Sequence, residues 1–89
     1  MKHQRIEIIN QLGLHARAAA KFVTLASQYE SEVHVSKNGM RVNGKSIMGV
    51  MMLAAAKGTQ LDIEIEGNDQ DEAMKKICEL INNRFGEEN

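Results

Sequence analysis

His15 and Arg17 stand two residues apart in the segment Gly13-Leu14-His15-Ala16-Arg17. Together these two residue types can capture a phosphoryl group. A neutral imidazole nitrogen is a nucleophile near neutral pH, and a guanidinium is a permanent cation whose planar fork of donors matches phosphate oxygens. The surrounding pattern strengthens that chemistry. Ile6, Ile8 and Ile9 upstream mark an apolar strand, and Ala19, Phe22, Val23 and Ala26 downstream recur at helical spacing. The pair therefore lies where a strand gives way to a helix. Unpaired first-turn N–H groups and the positive end of the helix dipole make such a junction an anion site.

The elements that must hold this segment can be traced along the chain. A first strand is expected from Arg5 to Ile9, and after the Gly13 turn a helix from about Ala16 to Tyr29. Glu32 to Lys37 alternates, with Val33 and Val35 on one face. Asn38-Gly39 signals a two-residue hairpin, because both turn positions favour positive φ, and Met40 and Val42 continue as a third strand to Asn43-Gly44. Ser46 is placed to cap a second helix that runs toward Lys57-Gly58. In it Val50, Leu53 and Ala54 face the core together, which leaves Ile47, Met48 and Met51 near the surface beside His15. Leu61, Ile63 and Ile65 alternate along a fourth strand. Asp69 and Glu72 form a capping-box pattern for a last helix; Ala73, Ile77, Leu80 and Ile81 are its buried stripe, and Gly86 is its stop. One apolar face per strand implies an α+β open-faced sandwich, βαββαβα, with a four-stranded antiparallel sheet and three helices on one face.

Composition narrows the remaining choices. Residues 1–89 suffice for one domain with one modest core. A net charge of −1 argues against a sequence-independent grip on nucleic acid or on an anionic membrane. No apolar run reaches the length of a membrane span, so no membrane insertion is expected, and the opening Met1-Lys2-His3-Gln4 does not read as a signal peptide. The single Cys78 cannot form an internal disulfide and reads as a buried bystander, which suits a reducing cytoplasmic setting. His3 and His34 lack metal-ligand spacing with each other or with Cys78 and read as solvated strand residues. No metal and no cofactor are expected.

Gly39-Met40-Arg41-Val42-Asn43-Gly44-Lys45-Ser46 matches the P-loop pattern GxxxxGKS. A P-loop needs a buried parallel strand before it and a larger nucleotide-binding domain around it. Here the first glycine belongs to a hairpin turn, so the match reads as accidental. The acidic Glu87-Glu88-Asn89 reads as a frayed, solvated end.

Two segments, Gly13-Leu14-His15-Ala16-Arg17 and Lys45-Ser46-Ile47-Met48-Gly49-Val50-Met51, resemble the two signature segments of the HPr family. Its members are phosphocarriers of the phosphoenolpyruvate-dependent phosphotransferase system, and the element order and length are similar across essentially the whole chain. The resemblance implies a monomeric, cytoplasmic carrier that is not itself a turnover enzyme. It implies that His15 takes a phosphoryl group on Nδ1 from enzyme I and passes it to enzyme IIA proteins. Arg17 would pair with the phosphate. Ser46 would be a regulatory phosphorylation site in lineages that carry an HPr serine kinase/phosphorylase. Ala16, Ala20, Ile47, Met48 and Met51 are the expected partner-binding residues, Met being adaptable at surfaces that meet several partners.

Two departures stand out. Ala18 occupies a place where the family commonly has proline, which is expected to keep the helix and leave its start more mobile. Thr24 and Ser27 stand where many relatives carry lysine, so the partner surface is expected to be less basic. The alternatives are a paralogous carrier of a nitrogen-related branch and a purely regulatory binding protein.

Overall fold

A computed structural model describes residues 1–89. The chain forms β1 (Lys2–Glu7), α1 (Ala16–Ala26), β2 (Glu32–Lys37), β3 (Met40–Asn43), α2 (Ile47–Met52), β4 (Gln60–Glu66) and α3 (Gln70–Asn82), followed by a single 3-10 turn, Arg84–Gly86. The strands make one antiparallel sheet in the order β1-β4-β2-β3. This is the expected open-faced sandwich.

Alternation decides which face is covered. Val33, Val35, Leu61, Ile63 and Ile65 are fully buried on one side of the sheet. They form one apolar cluster with Ala18, Ala19, Phe22 and Ala26 of α1, Val50 of α2, and Ala73, Met74, Ile77 and Ile81 of α3. The other side is polar. Arg5 and Ser36 both pair with Asp62, and Ser36 pairs with Arg41, so one row of polar side chains crosses all four strands. Within this face Asp62 accepts hydrogen bonds from Arg5 and faces His3 Nε2, each at 3.1 Å, and Arg41 donates to Glu64 at 2.9 Å. His3 is thus a partner in a charge network, and His34 is half-buried there.

Several expected boundaries shift for local reasons. β1 leaves its ladder at Glu7, and Ile8 continues as a buried residue whose amide donates to the Thr59 carbonyl at 2.9 Å. α1 stops at Ala26, and the chain tightens into turns as far as Tyr29, whose amide reaches the Ala26 carbonyl at 3.2 Å. α2 ends at Met52 because Ala54 turns into the left-handed region, φ 49°. Lys37 Nζ caps that end by donating to the Leu53 and Ala54 carbonyls at 3.0 and 3.3 Å. Ala54 is consequently exposed, and Ala55 takes its place in the core. Cys78 is half-buried, and desolvation raises its thiol pKa, which keeps it unreactive.

The last helix differs most. α3 ends at Asn82, well before Gly86, and Arg84 and Phe85 both adopt positive φ. Met74 is buried in its stripe while Leu80 is half-buried. The capping box does not form, because the Asp69 side chain makes no bond to its own helix. It accepts instead from the amides of Glu30 at 2.9 Å and Ser31 at 3.0 Å, and from the Ser31 hydroxyl. That carboxylate ties the entry to β2 onto the start of α3.

The Asp69 carboxyl is held below its ordinary value, first by the Ser31 hydroxyl and then by the Glu30 amide. A depressed folded-state pKa stabilises the fold above the unfolded carboxylate pKa of about 4 and loses that contribution as pH falls through the folded value. Asp69→Asn should therefore lower Tm near neutral pH, and the gap to wild type should close below about pH 4. Thermal melts of both proteins across that range check this; a gap that does not depend on pH would contradict it.

Candidate functional site

Four hydrogen bonds build the loop that presents His15. The Gly13 amide donates to the Asn10 carbonyl at 3.1 Å, and Asn10 Nδ2 returns a bond to the Gly13 carbonyl at 2.8 Å. The Leu14 amide donates to the Ala55 carbonyl at 2.8 Å, which fastens the loop to the segment after α2, and the His15 carbonyl receives the Ala19 amide at 2.8 Å, which opens α1. Gly13 has φ +68°, and a Cβ there would lie 2.5 Å from the Ala55 oxygen. Only glycine makes this turn without displacing the backbone beside it.

His15 is the N-cap of α1, in extended backbone conformation, and its side chain caps nothing. The amides of Ala16, Arg17 and Ala18 accordingly have no partner within the protein. Arg17 is exposed and forms no ion pair. His15, Ala16 and Arg17 open onto one cleft of about 610 Å³, which Gln11, Leu12, Glu87, Glu88 and Asn89 complete. A guanidinium and a half-buried imidazole therefore line one open cleft at the start of α1, whose first amides have no partner within the protein. That arrangement can receive an anionic group transferred to the ring.

The far wall of the cleft corrects an expectation. Glu87 is half-buried, and one of its carboxylate oxygens meets His15 Nε2. Its other oxygen accepts from Asn10 Nδ2 at 3.0 Å, and the Gln11 amide donates to the Asn89 carbonyl at 2.9 Å. The segment is docked because Phe85 is fully buried and its carbonyl accepts from Lys21 Nζ at 2.6 Å. Hydrogen bonds from Asn10, then from His15, hold the Glu87 carboxyl below the usual carboxylate range, so it is ionised at neutral pH. Glu87 and Asn10 were not apparent as site residues in the sequence. The available signal was Phe85, an aromatic residue in an otherwise polar stretch.

The remaining expected residues lie apart from this cleft. Ser46 caps α2, its Oγ accepting from the Gly49 amide at 3.1 Å. Val50 is wholly buried, whereas Ile47, Met48 and Met51 are exposed, Met48 to 70%. Met52 and Leu12 are also exposed apolar residues. Ala20 lines a different groove, with Arg17, Lys21 and Leu80. Ala18, the site of the expected mobility, is fully buried. The GxxxxGKS match occupies a hairpin turn, with φ 50° at Asn38 and 85° at Gly39, and a strand antiparallel to β2. Its lysine, Lys45, donates to the Tyr29 carbonyl at 2.7 Å.

Comparison with known proteins gives a consistent result. A family model described as "PTS HPr component phosphorylation site" matches residues 2–83. The chain is 63% identical over 87 residues to phosphocarrier protein HPr of Neisseria meningitidis, covering 98% of each chain. It is 60% identical over 83 residues to the protein of that name from Pseudomonas aeruginosa, covering 92% of each. The crystal structure of HPr-C-His from Thermoanaerobacter tengcongensis superposes with a TM-score of 0.96 at 47% identity, over the full length of both chains.

The docked segment makes its own prediction. Truncating a buried phenylalanine to alanine costs about 3–5 kcal/mol, and Phe85→Ala should lose that much in urea unfolding. A frayed end would show a change below about 0.5 kcal/mol.

Proposed function

The chain belongs to the HPr family of phosphocarrier proteins of the phosphotransferase system, and from that premise we propose that His15 is its phosphoryl acceptor, charged by enzyme I and discharged to enzyme IIA proteins. The observation that carries the reading is that His15, Ala16 and Arg17 line one open cleft at the start of α1, where the first-turn amides have no partner within the protein. Phosphoryl transfer asks a protein mainly for positioning and for stabilisation of charge on the phosphoryl oxygens. Arg17 supplies a fork of donors for two of those oxygens, and the α1 amides supply fixed donors. The ring nitrogen Nδ1, which forms no hydrogen bond, is the acceptor atom in this reading. The transferred group remains solvent-accessible in the cleft, where a second protein can collect it.

The apolar surface of Ile47, Met48 and Met51, with Ala16 and Ala20 on α1, is proposed as the surface that partners cover. Exposed apolar residues grouped on one short helix favour a protein contact. Ser46 lies at the edge of this surface, and its phosphorylation would place a dianion there. An acidic partner group would be repelled, and any partner would have to desolvate the added charge.

With enzyme I and labelled phosphoenolpyruvate, wild type should acquire an acid-labile, base-stable phosphate on His15. His15→Ala should acquire none, and persistent labelling in that variant would overturn the assignment. Arg17→Ala should slow labelling by roughly ten- to a hundredfold, the equivalent of one charge-assisted hydrogen bond.

The docking and regulatory readings have a paired test. Met48→Asp and Ser46→Asp should each slow labelling by enzyme I. Each should change stability by less than about 0.5 kcal/mol, because Met48 is exposed and aspartate caps a helix about as well as serine. An unchanged rate would remove the docking or the regulatory role respectively.

A further inference from the structure

Glu87 and His15 are 72 positions apart in sequence, yet their side chains meet across the cleft. We propose that Glu87 is a positioning residue for phosphoryl transfer: its carboxylate holds the proton on His15 Nε2, leaves the Nδ1 lone pair free to attack, and offsets the positive charge that the ring gains. This rests on His15 being the phosphoryl acceptor.

An ionised carboxylate only accepts hydrogen bonds, so the imidazole nitrogen that meets it must be the one carrying hydrogen. In a neutral ring the lone pair then belongs to Nδ1, which has no partner. When Nδ1 attacks the phosphorus of a phosphorylated donor side chain, its lone pair forms the N–P bond. The donor's bond to phosphorus breaks, and that electron pair leaves with the donor atom. Nε2 keeps its proton, so the ring becomes cationic. A carboxylate already in contact with Nε2 stabilises that cation without reorganising. On onward transfer the N–P bond breaks, its pair returns to Nδ1, and the ring is neutral again.

The carboxylate is also held in place beforehand. Asn10, fully buried, uses one amide nitrogen to bind both the Gly13 carbonyl and the second Glu87 oxygen. The same side chain thus sets the His15 loop and the residue facing it. Its own Oδ1 is left buried without a partner, a cost that the rest of the fold must offset. Arg17, on the same cleft, balances the repulsion that Glu87 and Glu88 would exert on an incoming phosphoryl group.

The test uses the full chain as wild type, Glu87→Gln and Glu87→Ala, with melting curves to establish that each is folded. The amide oxygen of glutamine can still accept from Nε2–H but carries no charge, so it separates positioning from electrostatics. Proton NMR of wild type should show a His15 Nε2–H signal slowed in its exchange with solvent. The signal should persist in Glu87→Gln and vanish in Glu87→Ala. Labelling of His15 by enzyme I and phosphoenolpyruvate should fall by roughly ten- to a hundredfold in Glu87→Ala and by less in Glu87→Gln. Wild type that labels at His15 but lacks the Nε2–H signal, or Glu87→Ala that labels as fast as wild type, would overturn the role of Glu87. Wild type that takes no label on His15 would overturn the acceptor reading itself, which separates the two failures.

Discussion

The structure depends on one constraint: its sheet can be covered on one face only. β4 lies second in the sheet with neighbours on both edges, and Leu61, Ile63 and Ile65 along it are fully buried. Each such side chain removed from water contributes about 1.5–3 kcal/mol. The opposite face carries charge across every strand and cannot be buried at comparable gain. All three helices must therefore lie on the same side. Their connections therefore meet one another, the Leu14 amide at the Ala55 carbonyl and the Asp69 carboxylate at the Glu30 and Ser31 amides.

That crowding shapes the site. Ala18, Ala19 and Ala26 are fully buried, so α1 approaches the sheet closely on a face of small residues, with Phe22 filling the middle. A helix seated in this way turns its first residues outward. Ala16 and Arg17 stay exposed while Ala18, next in the chain, is in the core. Exposure and packing are thus divided between adjacent positions on one helical turn.

Much of this was legible in the sequence because period and capping are local signals. The alternation of Leu61, Ile63 and Ile65, the positive-φ preference of Asn38-Gly39 and the Ser46 cap each led to the observed element. Some misreadings arise where side chains bond to distant backbone. Asp69 has the spacing of a helix cap but is used 38 and 39 positions away, on Ser31 and Glu30. The end of α2, where Ala54 turns left-handed, is capped by Lys37 of β2. The largest omission was Glu87, since nothing local distinguishes a docked acidic segment from a solvated one. Phe85 makes the difference, and its burial becomes visible only when α1 and α3 are both in place.

His15 is reached early when the chain is read from its first residue, whereas the groups around it come from both halves. β1 pairs with β4, Lys2 opposite Ile65, and the wall facing His15 follows α3. A ribosome therefore releases the histidine long before β4 or Phe85 exists to complete the fold. Pairings of such long sequence separation delay folding until most of the chain is available. The nascent polypeptide then displays His15 before the residues beyond α3 that face it in the fold have been made. A chain cut short before Phe85 therefore carries His15 and Arg17 but lacks the wall that Glu87 places across the cleft from them.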